Sequence, residues 1–164
     1  MRLKPEQIWS SSLVRAYLVK RFLDGFCDVN PQGANILILF PAMQIASSVP
    51  LMSCVSKGKP SSLAEYVKCV VKCGYRHLLE GLPDAIMQSK DAILASILAA
   101  ISTHLVSIEL SSARLSPTKA EPRGAESVLP RELRVEGRRA ATLGGWFGTI
   151  TPRQAATILG FDIT

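Results

Sequence analysis

The sequence predicts a mainly α-helical single domain of the α+β class, winged-helix-like, with a small β-hairpin wing and a C-terminal helical extension. Three observations point there. Apolar residues recur at three- and four-residue spacing through several long stretches, as buried helix faces require. One stretch, from Leu105 to Leu110, instead alternates with period two and is followed by a serine turn and a short return. The order helix, helix, helix, hairpin is that of a winged-helix unit, and 164 residues at 48% hydrophobic suffice to bury one core. The expected organisation is a winged-helix-like core with its hairpin over residues 1–115, a flexible loop over 116–130, and a C-terminal docking segment over 131–164 packed on that core.

The first helix is expected from Ser12 to Phe26, with Ser10, Ser11 and Ser12 as caps. Leu13, Tyr17, Leu18, Phe22 and Phe26 form its apolar side, while Arg15, Lys20 and Arg21 face outward. Gly25 and the turn Asp28-Val29-Asn30-Pro31 stop it. The next element, Ile36 to Ile45, is apolar on every side, so periodicity alone also permits a strand. Asn30-Pro31 suits a cap and first turn, and the run outlasts a typical strand. A fully buried helix kinked at Pro41 is therefore preferred.

A loop over residues 57–62 leads to Ser62 and Glu65, a Ser-x-x-Glu capping box opening a helix that runs to about Leu79. Its buried face carries Val67, Val70, Val71 and Cys73. Lys68, Lys72 and Arg76 align beside it at four-residue intervals, a basic stripe suited to a phosphate backbone. Gly81-Leu82-Pro83 breaks the chain, and Asp84 to about Ile101 forms the clearest helix, with Ile86, Ile93, Leu94, Ile97, Leu98 and Ile101 in one stripe. The hairpin turns at Ser111-Ser112 and returns through Ala113-Arg114-Leu115. Pro117, Pro122, Gly124 and Pro130 mark the following segment as loop.

The segment from Arg138 to Gly160 reads as two helices meeting at a tight corner. Ala140, Leu143, Gly144 and Phe147 form one buried face, Thr151 caps a second helix, Pro152 fits its first turn and Gly160 ends it. The block spends a Trp and a Phe in a chain only 6% aromatic, yet holds neither metal ligand nor general base. It therefore reads as a docking element, with Leu143, Trp146, Phe147 and Ile158 as the candidate partner contacts. Helix periodicity draws Phe147 toward the core and leaves Trp146 as the better interface residue, since interfaces concentrate energy in buried aromatics.

Composition narrows the function. Nineteen Lys and Arg against thirteen Asp and Glu give a net charge of +6, which permits contact with nucleic acid or an acidic partner without demanding it. The mean hydropathy of +0.22 is high for a self-sufficient monomer and suggests apolar surface covered by another chain. The longest nearly apolar stretch, Ala92–Ile101, spans about half a bilayer crossing. Arg2 and Lys4 are followed by Pro5, Glu6 and Gln7 instead of a signal-peptide core, so a soluble, cytoplasmic protein without membrane contact is expected.

Reduced thiols are expected of Cys27, Cys54, Cys69 and Cys73 in that compartment. Cys69, Cys73 and His77 invite a metal reading. At 1.5 Å rise per residue, however, Cys69 and His77 lie about 12 Å apart along one helix, too far to share a tetrahedral ion. Cys69 and Cys73 alone would supply two ligands with no evident second pair, so core cysteines and no metal are expected. Catalysis has no foothold either. Neither His77 nor His104 has a nearby Asp, Glu or Cys arrangement typical of a triad, and Ser56-Lys57-Gly58-Lys59 lacks the glycine spacing of a phosphate loop. Neither catalytic residues nor a cofactor are expected.

In a winged helix the helix before the wing reads the major groove, and Arg, Lys, Asn and Gln do that reading. Here that helix offers only Gln88, Lys90 and a few serines among Ala, Ile and Leu. Sequence-specific readout is not expected of it. Non-specific backbone contact through Lys68, Lys72, Arg76 or the wing residue Arg114 stays open. A small winged-helix transcription regulator is the alternative reading.

Taken in order, three segments resemble the middle-component proteins of bacterial ABC three-component conflict systems, a group that includes the LmuC-like subunit of Lamassu defence. They are Ile38-Leu-Phe-Pro-Ala-Met-Gln-Ile after the first helix, the alanine-rich helix feeding a hairpin, and Arg139-Ala-Ala-Thr-Leu-Gly-Gly-Trp-Phe followed by Thr157-Ile-Leu-Gly. The chain has Trp9-Ser-Ser-Ser-Leu where many members open the first helix with an Asn-Pro-Ala-Phe-like start. The resemblance implies a non-catalytic adaptor that links an SMC-like ATPase, which senses DNA, to an effector, often a nuclease, in defence against phage and plasmids.

Overall fold

The computed structural model describes residues 11–118 and 129–161. Expectations at Trp9 and Ser10, over most of the 116–130 loop and at residues 162–164 lie outside them. The elements are α1 (Ser12–Val29), β1 (Ala34–Asn35), α2 (Ile36–Ser47), α3 (Val49–Ser53), α4 (Leu63–Lys72), α5 (Arg76–Glu80), α6 (Leu82–Ser102), β2 (Val106–Glu109), β3 (Arg114–Pro117), α7 (Arg131–Gly148) and α8 (Pro152–Leu159). The fold is the mostly helical α+β domain expected, with an antiparallel sheet in the order β1-β3-β2.

Helix α1 is the axis of the core. It packs most extensively on α7, then on α6 and β3, and buries Ala16, Leu18, Val19, Phe22, Leu23 and Phe26. Because neighbours cover several of its sides, the expected polar face is partly drawn in. Lys20 is only 4% exposed, with its ammonium 3.0 Å from Asp24, which Arg21 also reaches. Leu13, expected inside, is exposed beyond the reach of those neighbours. Gly25 does not stop the helix. A Cβ there would collide with the carbonyl of Ala141 on α7, so this glycine serves close packing in mid-helix.

Asn30 and Pro31 do not cap α2. Asn30 ends α1 and its side chain accepts from the Gln32 N–H, while Gly33, at φ 88°, turns the chain into β1. Asn35 caps α2 by accepting from the Leu37 N–H. Pro41 is retained inside α2, as expected, but the helix is not buried all round: Leu37 is 65% exposed. The two residues of β1 are too few to leave a period in the sequence. They join the sheet because Ala34 pairs with Leu115 and Asn35 with Arg114.

The capping box at α4 is half realised. Ser62 Oγ accepts from the Glu65 N–H, while the Glu65 carboxylate reaches past Ser62 to accept from the Ser61 N–H at 2.8 Å. The helix ends at Lys72, not Leu79, because Gly74 takes a left-handed φ of 86°. Leu63, Tyr66 and Val70 are its buried residues, and Val71, expected inside, is exposed. Pro83 sits in the first turn of α6, where its missing N–H costs nothing. The hairpin pairs Ile108 with Leu115 and Val106 with Pro117, and Ala113 closes its turn at a positive φ of 52°.

Candidate functional site

The C-terminal corner forms as its sequence dictates, but its chemistry points inward. Thr151 and Gln154 complete a reciprocal capping box, and Gly160 ends α8 at φ 83°. Leu143 and Phe147 are fully buried and Trp146 is 7% exposed. Phe147 packs edge-on against Phe22 of α1, with ring centroids 5.7 Å apart. Trp146 lies 5.5 Å from the ring of Tyr66 on α4, whose hydroxyl donates to the Leu51 carbonyl. These three side chains therefore hold α7 to its own chain and have no surface to give a partner in this conformation. Ile158 alone of the four keeps accessible surface, in a shallow groove with Ile150 and Arg153.

Glycine explains the depth of that packing. A Cβ on Gly144 would run into the carbonyl of Phe22, and one on Gly148 would lie 2.9 Å from the carbonyl of Phe26. The backbones of α1 and α7 thus approach as closely as only glycine permits, bringing Phe147 against Phe22.

Surface suited to a partner lies instead on α6. Met87, Leu94 and Leu98 are 64%, 38% and 61% exposed. At 3.6 residues per turn they fall within about 40° of arc. The opposite side of α6 buries Ile93, Ile97 and Ala100 against α1 and α2. The stripe foreseen as one buried face is therefore two: Ile93 and Ile97 point in, and Leu94 and Leu98 point out. Only 22% of the most apolar 18-residue stretch of α6 is buried. At 21 residues the helix is also long and apolar enough, by length and composition, to cross a membrane, which the ten-residue stretch considered in the sequence did not reveal. One side of it packs on α1 and α2.

The expected basic stripe is interrupted. Lys68 and Lys72 are exposed on α4, but the turn at Gly74 puts Arg76 on a separate helix, where it pairs with Glu80 at 2.9 Å. Arg114 is half-buried and donates to the Gly33 carbonyl at 3.2 Å, a link between β3 and the entry to β1. A groove between the 54–60 loop and α7 gathers three other cations, Lys59, Arg138 and Arg139, with Ser56, Pro60 and Thr142 beside them. Arg139 donates to Ser56 Oγ at 3.1 Å and to the Glu136 carboxylate at 2.8 Å. Lys59 holds φ at 46°, a conformation costing a non-glycine residue on the order of 1–3 kcal/mol. Burial raises the Glu136 carboxyl above its ordinary pKa, against the opposing pull of Arg139, and Glu136 Oε2 is buried without a hydrogen-bond partner among the described residues. Lys59 and Arg138 lie about 80 residues apart, so no spacing rule would have joined them.

Beneath the same loop, Cys54, Cys69 and Cys73 bring their sulfurs within 4.8 Å of one another. Cys69 and Cys73 stand one helical turn apart, as expected, and Cys54, at the end of α3, supplies the third thiol. The Cys69 thiol donates to the Lys57 carbonyl at 3.3 Å. Burial, helped by repulsion from a neighbouring Cys73 thiolate, pushes the Cys54 thiol up to about 11, and burial also raises Cys69. His77 is exposed and outside the cluster. Cys54 was missed because the fold, not the spacing, closes the fourteen residues between it and Cys69.

A family model described as ABC-three component (ABC-3C) system Middle Component 3 matches residues 2–163. No curated protein and no solved structure gives a significant match.

Proposed function

Because this chain belongs to the ABC-three component system Middle Component 3 family, we propose that it is the non-catalytic adaptor of such a complex and that the outer face of α6 is where its ATPase partner docks. The exposed stripe of Met87, Leu94 and Leu98 carries the reading, since three large apolar side chains aligned on one helix face favour burial against another chain. The same stripe speaks against the regulator alternative. The helix before the hairpin turns thioether and leucine side chains outward, where a DNA reader needs Arg, Asn or Gln. The finer reading is a Lamassu-like assembly: an SMC-like ATPase, an LmuC-like middle component in this chain, and an effector of nuclease type. The complex would be cytoplasmic, with no membrane contact.

In this scheme the adaptor holds the effector inactive against the ATPase and releases it when DNA engagement changes the ATPase conformation. Release requires that the adaptor bind the two ATPase states with different affinity. Any DNA contact made by the adaptor is with backbone phosphate. The groove of Lys59 and Arg138 is a better candidate than Lys68, Lys72, Arg76 and Arg114, since two of those four are engaged with Glu80 and Gly33. Co-purification from cells carrying the whole system tests the docking face. The double variant Met87→Lys and Leu98→Lys is expected to lose its partners while keeping its melting temperature. Retention of the partners at wild-type yield would refute the assignment. Effector activity unchanged by deleting this subunit, with and without DNA, would refute restraint.

A further inference from the structure

We propose that Cys54, Cys69 and Cys73 form a three-thiolate site for a soft divalent cation, zinc above all, clamping the end of α3 to α4. The inference stands on sulfur geometry and is independent of the adaptor reading. Tetrahedral zinc with bonds of about 2.3 Å to sulfur places ligand sulfurs about 3.8 Å apart. The three sulfurs here lie within 4.8 Å, so contraction of about 1 Å, within reach of small side-chain rotations, completes three corners of the tetrahedron. Cys54 is buried and Cys69 and Cys73 are partly exposed, so the ion would be enclosed on the Cys54 side and open to solvent on the other. Each thiol releases its proton to solvent as its sulfur takes the metal, and the three thiolates leave a bound Zn²⁺ with one net negative charge.

Ligand chemistry selects the metal class. Three thiolates with no carboxylate or imidazole beside them among the described residues suit soft or borderline cations and reject Mg²⁺ and Ca²⁺, which require oxygen. The fourth position falls to water or a small exogenous donor, since three protein ligands leave one place open. α4 offers two thiols one turn apart, and Cys54 closes α3 immediately before the loop bearing Lys57 and Lys59. That loop is tied back over the thiols by the Lys57 carbonyl and across to α7 by Ser56 and Arg139. A bound ion would therefore fix one wall of the cationic groove, making groove order depend on metal. Cys27, the fourth thiol, lies outside the cluster and serves as an internal control.

The test uses the full chain, reduced, stripped with a chelator and titrated with Co²⁺ as a spectroscopic probe for zinc. One equivalent of Co²⁺ is expected to produce the thiolate-to-cobalt charge-transfer absorption and visible bands of a tetrahedral sulfur site, and one equivalent of Zn²⁺ to abolish them. Cys54→Ser and Cys69→Ser should each lose most of the charge-transfer intensity, and Cys27→Ser should keep it. If wild-type protein, folded by circular dichroism, yields only the weak spectrum of aqueous Co²⁺, the site does not exist. Equal intensity in Cys54→Ser, or loss in Cys27→Ser, would equally overturn it. Zinc measured by elemental analysis on protein isolated without chelator, at about one ion per chain and reduced at least tenfold in Cys54→Ser, is the supporting result outside cobalt chemistry.

Discussion

Helices α6 and α7 are both rich in apolar and small residues, yet they meet opposite fates. α7 carries the Trp and Phe that a partner surface would use and buries both. α6, whose regular isoleucine and leucine spacing resembles a core helix, leaves Met87, Leu94 and Leu98 in solvent. The difference lies in the small residues. On α7 the glycines stand where α1 crosses, so the backbones approach closely and the aromatic rings sink between them. On α6 the apolar positions span more arc than α1 and α2 cover, and the remainder stays outside. Aromatic content alone therefore does not mark an interface. What matters is whether the rest of the chain has the surface to cover it.

The contrast breaks most sharply at the α1–α7 contact. Gly144→Ala places a methyl group inside the Phe22 carbonyl. It should cost roughly 3 kcal/mol or more, at or beyond the upper end of overpacking, because backbone gives way less than side chains do. Chemical denaturation monitored by circular dichroism checks this. Trp146→Ala comes next, with an expected loss of about 3–5 kcal/mol, since it empties the space beside Tyr66. A failure of Trp146→Ala to co-purify with partners would accordingly report unfolding unless its stability is measured alongside. At the other extreme, Leu98→Lys should change stability by no more than about 0.5 kcal/mol, because the side chain is already mostly in water. Its effect should appear in partner binding. A large stability loss for Leu98→Lys with full partner binding would invert the comparison.

Much of this was legible in the sequence because its causes are local. The Thr151–Gln154 box, Pro152 and Gly160 fix α8 within one turn of chain, and the alternation from Val106 to Ile108 fixes the hairpin. What failed to show depends on approach between distant residues. Gly25 reads as a helix stop until α7 is seen against it. Val71 and Leu94 read as core until the covering elements are counted. The break at Gly74 follows from a left-handed backbone that one glycine permits but does not announce. Cys54 joins Cys69, and Lys59 joins Arg138, only through the tertiary fold. Functional features of this chain are therefore less visible in the sequence than its elements are.

The smallest expected effect concerns Glu136, at the edge of the cationic groove. Burial raises its folded pKa above the ordinary 4.5. The folded state then holds the proton more tightly than the unfolded chain does. This contribution to stability is fully present below the ordinary pKa and is lost as pH rises through the raised one. Glu136→Gln should remove that component, so its stability relative to wild type should increase as pH rises through this window. Parallel denaturation curves across the window check the sign, and an unchanged difference would show that the carboxyl is not strained by burial.

Hydroxyl-radical footprinting of the isolated chain and of the assembled complex puts the contrast between the two helices to the most direct test, since methionine and tryptophan are both highly reactive. The account predicts that Met87 is oxidised rapidly in the isolated chain and protected in the assembly, while Trp146 is slow in both. Rapid oxidation of Trp146 in the isolated folded chain, with protection only on assembly and no change at Met87, would contradict it.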